Sequence, residues 1–337
     1  MPIARAARPT MLDVARLAGV SYQTVSRVIN NQPYVSGEAR QRVLEAIDTL
    51  GYHPSKAATK LASKSSKTIA IILYGSWFSG PIQIALNIEM AAKTSGFDVI
   101  LTNITEPKDQ LVEALKNVIA WAVDGILMIL PVTGLPFEDI QAICSDTPVV
   151  QIEAERGAAV PSVMTDDVLG MRQIVEHLIS LGHTRFCALN GPSNWFSAQA
   201  RSAALLQVLE AHGLEVTRTI SANWTAPGAY HAMRRLLEND RSFTAVVSAN
   251  DSMAFGALNA LQQAGLHVPD EVSLTGFDDI PEAAYYMPPL TTVRENYIRL
   301  GITAFEYLTK LMDDPETPAE QRIIAPNVIY RSSTGPA

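Results

Sequence analysis

The sequence predicts an α/β protein with two parts, a small all-α N-terminal unit and a larger body built on doubly wound parallel sheets. Residues 10–50 show the caps and apolar spacing of short helices. From Thr68 onward, short apolar runs alternate with helical stretches, which is typical of parallel sheets covered by helices. With 337 residues and 47% hydrophobic content, the chain can bury a large core and should hold two or three domains.

The first predicted helix begins after Thr10. Thr10 can cap it, and Asp13, three residues later, completes a capping box and places negative charge at the positive end of the helix dipole. Gly19 permits the sharp turn that follows. The apolar stripe that we expect to be buried consists of Leu12, Val14, Ala15 and Ala18.

The second predicted helix runs from the N-cap Ser21 to about Asn30, with an apolar face of Val25, Val28 and Ile29. Its outward residues are Tyr22, Gln23, Ser26, Arg27 and Asn30. Gln can pair with adenine and Arg with guanine in the major groove, so this pattern predicts a helix-turn-helix that reads bases. The alternative is a set of ordinary solvated positions. We favour base reading because cap, glycine turn and polar face coincide.

A third helix is predicted to open at residues 35–38 and to end at Gly51. The stripe expected to cover the first two helices is Val43, Leu44, Ile47 and Leu50. Charge separates this unit from the body: residues 1–67 carry ten basic and four acidic side chains, a net of +6, whereas the whole chain has a net charge of −8. A basic module on an acidic body concentrates the attraction for phosphates in one place.

In the body, seven apolar runs predict buried strands, and two periodic stretches, 83–95 and 171–181, predict helices. The predicted strands are 69–74, 99–103, 125–130, 149–152, 186–189, 245–248 and 272–276.

Several functional classes lack their usual signals. The sequence has no G-x-S-x-G elbow, no P-loop, and no G-x-G-x-x-G motif after the early strands. Its six histidines show no metal-like spacing, so we expect no metal and no cofactor. It shows no signal peptide or membrane-spanning run, and Cys144 and Cys187 are expected to be buried free thiols. These features predict a cytoplasmic protein without a membrane partner.

The N-terminal motifs carry a family resemblance. The segments 13–15 and 18–28, Asp-Val-Ala and Ala-Gly-Val-Ser-Tyr-Gln-Thr-Val-Ser-Arg-Val, resemble the LacI/GalR (lactose-repressor-like) family of bacterial transcription regulators. The resemblance implies a headpiece over residues 8–64 with a hinge at 54–63 that folds on operator DNA. Lys56, Ala58 and Leu61 would contact DNA there, with Leu61 wedged into the minor groove. From composition alone, the same segment is a plain linker.

The resemblance also implies a periplasmic-binding-protein-like effector domain over residues 68–335. Its first lobe would span about 68–165 and 297–324, and its second about 166–293 and 325–335. A small-molecule effector, expected to be a sugar, would bind between the lobes, and a homodimer would bind palindromic operator DNA. The chain ends without a leucine-heptad tail, so we expect a dimer rather than a tetramer.

The effector site is predicted from two arguments. In open α/β sheets, ligands bind at the carboxyl ends of strands, which points to the loops 190–193, 249–251 and 276–279. The resemblance then implies that Arg201, Asn250, Asp278 and Trp224 bind the effector and that Glu153 lies at a further matched position, and Phe78 and Tyr297 are further candidates for the wall, which gives seven predicted effector-binding residues. From the residues alone, Asn250 or Asp278 could merely cap a helix.

Two departures affect the expected effector. Glu153 stands where the family's type member has a shorter acid, and Ile129 where it has an amide, so a galactoside effector does not follow. The sequence therefore predicts an effector-controlled repressor and no enzyme. The alternative is a carbohydrate-binding or sugar-metabolising α/β protein that does not bind DNA.

Overall fold

A computed structural model describes residues 9–29, 32–52, 65–135 and 137–337. The chain divides into two compact units, Met1–Ser66 and Lys67–Ala337. The predicted DNA contacts Asn30, Lys56, Ala58 and Leu61, and the predicted hinge, lie outside the described residues.

The first unit contains three helices, α1 (Met11–Ala18), α2 (Tyr22–Ile29) and α3 (Gly37–Leu50). The predicted capping box is present: Oγ1 of Thr10 accepts from the Asp13 N–H at 3.3 Å, and an Asp13 carboxylate oxygen accepts from the Thr10 N–H at 2.9 Å. Gly19 adopts φ 62° after α1, as the predicted turn requires.

The core of this unit differs from prediction at two leucines. Leu12 and Leu44 are 60% and 52% exposed, so their assignment to the buried stripes was wrong. In both helices, small or β-branched residues fill the interior instead. The buried core consists of Val14, Ala15, Ala18, Val25, Val28, Val43, Ala46 and Tyr52.

The second unit contains a six-stranded and a four-stranded sheet, both parallel throughout. The first has the order β11-β5-β4-β3-β1-β2 and the second β7-β6-β8-β9, while β10 and β12 form an antiparallel pair. The strands are β1 (Thr68–Tyr74), β2 (Asp98–Ile104), β3 (Gly125–Ile129), β4 (Val149–Ile152), β5 (Ser162–Thr165), β6 (Phe186–Asn190), β7 (Val216–Ser221), β8 (Ala245–Ser248), β9 (Ser273–Thr275), β10 (Thr292–Arg294), β11 (Gln321–Ile324) and β12 (Asn327–Ile329).

Eight α-helices and one 3₁₀-helix (Pro281–Tyr285) are described in this unit. The α-helices are α4 (Ser79–Thr94), α5 (Pro107–Ala120), α6 (Phe137–Cys144), α7 (Asp167–Ser180), α8 (Phe196–Ala211), α9 (Ala226–Leu237), α10 (Asp251–Gln263) and α11 (Tyr297–Asp313). The described helices include none that is long and apolar enough to cross a bilayer.

All seven predicted strands are present within two residues of their expected bounds. The prediction that all seven are buried was wrong for β2, which is an edge strand and whose Leu101 is 52% exposed. Late in the chain, β11 returns to the first sheet by pairing with β5. The lobe boundaries given above stay predictions.

Candidate functional site

The second helix of the headpiece places its polar residues outward. Tyr22, Gln23 and Arg27 are exposed and Ser26 is half-buried, while Val25 and Val28 are buried on the opposite face. Ser21 caps this helix, since its Oγ accepts from the Thr24 N–H at 3.2 Å. Gln23 and Arg27 lie one helical turn apart on this outward surface.

In the body, a cavity of about 400 Å³ is lined by all seven predicted effector residues. They reach it from different elements, most of which follow the carboxyl end of a strand. Phe78 follows β1, Glu153 follows β4, Trp224 follows β7 and Asp278 follows β9. Two of the three loops that the strand-end rule indicated, 249–251 and 276–279, therefore contribute to the cavity.

Aromatic side chains form one wall of the cavity. The rings of Trp77, Phe78, Trp195 and Trp224 form a continuous chain with centroid distances of 5.6, 5.4 and 5.6 Å. Trp224 is 5% exposed and has φ 67°. Gly191 permits its position, because a Cβ there would lie 2.4 Å from Cη2 of the indole. Such rings provide flat apolar surface for a ligand ring.

Arg201 is the centre of the polar wall. Its Nε donates to Oδ1 of Asp167 at 2.7 Å, and its Nη1 donates to the Ala249 carbonyl at 2.7 Å and to Oδ1 of Asp278 at 3.4 Å. Its Nη2 donates to Oε1 of Glu295. The Arg201 side chain is only 6% exposed, so these contacts are largely shielded from water.

The acids around Arg201 hold their protons more tightly than usual. Burial raises the pKa of Asp278 and of Glu295 to about 8 each, against the opposing effect of Arg201. Burial, with Asp167 and Glu295 nearby, raises the pKa of Glu153 well above its ordinary value. Burial also raises the pKa of Asp167. One guanidinium therefore does not neutralise all four carboxyls.

Asn250 combines the two roles that the sequence left open. Its Oδ1 accepts from the Met253 N–H at 2.8 Å and caps α10, while the residue also lines the cavity. Its Nδ2 donates to the Trp224 carbonyl at 3.3 Å. The cap is thus present, and the same side chain fixes the backbone at Trp224.

Sequence reasoning missed several residues of this site, among them Trp77 and Glu282 of the cavity lining. Glu295 and Trp195 also line the cavity, and Asp167 holds Arg201. Trp195 lies two residues beyond the segment 190–193 after β6 that the strand-end rule indicated. Asp167 and Glu295 lie at or near the expected boundaries between the two lobes, about residues 165–166 and 293–297, and that position was their only signal in the sequence.

Comparisons with known proteins agree with this architecture. Residues 10–55 match the bacterial regulatory proteins of the lacI family, and residues 175–334 match the periplasmic binding protein-like domain. The lactose operon repressor of Escherichia coli K12 is 30% identical over 326 residues, covering 96% of this chain and 90% of that protein.

Solved structures that are similar to this chain include two regulators with bound ligands. A lac repressor dimer bound to operator and the anti-inducer ONPF has a TM-score of 0.93 and 30% identity, covering 97% of this chain and 99% of that one. The transcriptional regulator CelR in complex with cellobiose has a TM-score of 0.73 and 29% identity, covering 97% of this chain and all of that one.

These matches span both units of the chain, which disfavours the alternative of a carbohydrate-processing protein without a DNA-binding function. The relatives that match over both units, among them the lactose operon repressor, are transcriptional repressors and not enzymes. The chain belongs to the lacI family of bacterial regulatory proteins, which are DNA-binding transcriptional regulators controlled by small-molecule effectors.

Proposed function

We propose that this protein is a homodimeric repressor that reads a pseudo-palindromic operator through Gln23 and Arg27 and changes its operator affinity when a small polyhydroxylated effector fills the cavity. The proposal of an effector site rests on one observation, that all seven predicted residues line the same cavity. Paired donors and acceptors beside flat aromatic surface suit a sugar.

The recognition step follows from the exposed face of α2. Amide and guanidinium groups can each make bidentate contacts to a purine edge, and the basic headpiece supplies attraction for phosphate. Lys56 would add a phosphate contact, and Leu61 would wedge between base pairs in the minor groove.

Dimerisation is supported by unpartnered apolar side chains on the body. Leu86 and Met90 lie one turn apart on α4 and are 51% and 64% exposed, and Leu101 is exposed on the edge strand β2. A two-fold dimer would bury such residues and place two headpieces on the two halves of an operator.

We place the protein in the cytoplasm, where operator DNA is found. Cys144 and Cys187 are free and buried, which suits a reducing compartment. Burial raises their pKa values to about 11 and about 12, so neither thiol is a reactive nucleophile.

The test titrates operator and effector against three full-length variants. Asp278→Ala should leave operator affinity nearly unchanged and remove the effect of the ligand on it, because a ligand shifts an equilibrium only by its differential affinity. Leu61→Ala should weaken operator binding and leave effector affinity of the free protein unchanged. Asp270→Asn, an exposed acid outside the cavity lining, is the matched control. Wild-type coupling in Asp278→Ala would contradict the proposed site.

A further inference from the structure

The cavity has an unusual balance of charge. Among the described residues that line it, Arg201 is the only Lys or Arg, whereas four are acids: Glu153, Asp278, Glu282 and Glu295. Asp167 adds a fifth carboxyl behind Arg201. The side chains of Asp167 and Glu295 are 6% and 7% exposed, so solvent screens their charges poorly.

Arg201 has little capacity left for a ligand. Its contacts with Asp167, Ala249, Asp278 and Glu295 engage four of the five N–H donors of a guanidinium. One face of the group is covered by the ring of Phe277, 3.6 Å away. A phosphate or carboxylate entering the cavity would therefore meet acids, with no free cation among the described lining residues to hold it.

The aromatic wall of the cavity offers ring faces and an unused hydrogen-bond donor. Trp224 is 95% buried and lines the cavity, yet its indole N–H has no acceptor among the described residues. This donor can serve a ligand hydroxyl. The faces of Trp195, Trp224 and their neighbours attract cations through the ring quadrupole as well as packing against a sugar ring.

We propose that the effector is a polyhydroxylated ligand with a protonated amine, an amino sugar in the simplest case, and that phosphorylated and acidic sugars are rejected. This proposal deepens the proposed function and rests on it. The ammonium group would donate to the carboxyls of Glu153, Asp278 and Glu295, and the sugar ring would lie against the tryptophans. The ligand then supplies the positive charge that the protein lacks at this place.

The same arrangement predicts proton release. In the empty cavity, acids with raised pKa values keep protons that reduce their mutual repulsion. An arriving ammonium favours the ionised carboxylates and would expel part of these protons to the buffer. A neutral sugar would not, because it leaves the charge of the cluster unchanged.

The experiment measures binding by titration calorimetry on the full chain at neutral pH. The probes are glucosamine, galactosamine and mannosamine, each beside its neutral parent hexose, and glucose 6-phosphate. We expect at least one amine to bind about tenfold more tightly than its parent and no binding of the phosphate. Its heat should differ between phosphate and Tris buffers, as proton release requires.

Variants test the cause. Glu153→Gln and Glu295→Gln should each reduce the preference for the amine over the parent, whereas Glu113→Gln, an exposed acid on α5, should not. Binding of no amine, or equal or tighter binding of the neutral parents, overturns the proposal. Operator titrations on the same samples separate the two levels. If a neutral sugar shifts operator affinity and no amino sugar does, only the proposal of an amine-bearing effector is contradicted. If the protein binds no palindromic operator, the proposed function itself is contradicted.

Discussion

The Nε of Arg201 donates a 2.7 Å hydrogen bond to Oδ1 of Asp167, and both side chains are 6% exposed. Arg201 lies in α8, and Asp167 opens α7 directly after β5, the strand at which the chain leaves the first sheet before building the second. The pair therefore joins the wall of the cavity to a segment that connects the two sheets.

Replacing Arg201 should destabilise the body strongly. Arg201→Met leaves several buried carboxyls without their cation, and breaking a buried ion pair costs about 3–5 kcal/mol. Urea unfolding followed by circular dichroism measures the change. Arg218→Ala is the control, since it removes an ion pair whose arginine is 46% exposed and should cost under about 1 kcal/mol. Equal losses in the two variants would contradict the structural role given to Arg201.

Gly191→Ala should impair the effector response without weakening operator binding. The new Cβ would overlap the Trp224 ring, which must then move out of its place in the aromatic wall. We expect at least about tenfold weaker effector binding, the scale of losing one aromatic contact. Gly335→Ala is the matched control, because its Cβ would meet neighbours only at 3.4 Å or beyond. Unchanged effector affinity in Gly191→Ala would separate Trp224 from the binding site.

Base reading should depend on two side chains of α2. Gln23→Ala or Arg27→Ala should cost about 1–3 kcal/mol at one or two operator positions and relax specificity there. Binding of the operator and of its single-base variants, followed by fluorescence anisotropy, measures this. Arg42→Ala removes an exposed arginine from α3 and should not change the base preference. If the Arg27 variant keeps full discrimination against random DNA, the recognition helix is misassigned.

The stability of the ligand-free body should fall as pH rises. In the folded chain the pKa values of Asp278 and Glu295 are about 8, and in the unfolded chain such carboxyls titrate near about pH 4. The folded state thus holds more protons than the unfolded state in this window. For each such proton, the free energy of unfolding falls by up to about 1.4 kcal/mol for every unit by which the pH rises. Thermal unfolding between about pH 6.5 and 8.5 checks the slope, which should level off above the folded pKa.

The amide variant gives the control for this pH dependence. Glu295→Gln removes one titrating group and should flatten the slope. His177 and His183 have lowered pKa values because they are buried, so their contribution appears below the chosen window, as pH falls under their unfolded value. A stability that rises with pH across the window would show that the acids are ionised in the folded protein.

The headpiece was largely predictable because its signals are local. The capping box at Thr10 and Asp13 and the turn at Gly19 involve neighbours in sequence, and all are present. Leu12 and Leu44 were misassigned because periodicity gives the spacing of a stripe but not which of two adjacent apolar residues faces a small core.

In the body, strands that coincide with a continuous apolar run were predictable, and β5, β7, β10, β11 and β12 were not predicted. The buried runs at β1 and β3 are continuous and apolar, whereas β7 is half-exposed and carries Thr217, Arg218 and Thr219. Such a strand has neither a continuous apolar run nor strict alternation. The three-residue strands β10 and β12 are too short for any period to register.

The seven cavity residues were named from strand ends and family resemblance, but the contacts among them were not. Glu295 meets Arg201 across 94 residues of sequence, and only the folded crossings bring them together. The charge balance of the cavity depends on which distant residues the fold brings together. No local pattern predicts it.

The crowding of acids around Arg201 also bears on how such a cavity changes over generations. Burial and the neighbouring acids both disfavour the ionised form of each carboxyl there. Exchanging Glu295 for its amide therefore relieves electrostatic repulsion in the ligand-free protein. Substitutions that replace these acids by amides should then stabilise the folded state, and only selection for effector binding opposes them. Lineages that lose their effector should drift toward Gln and Asn at these positions, which makes the retained acids a record of continued use.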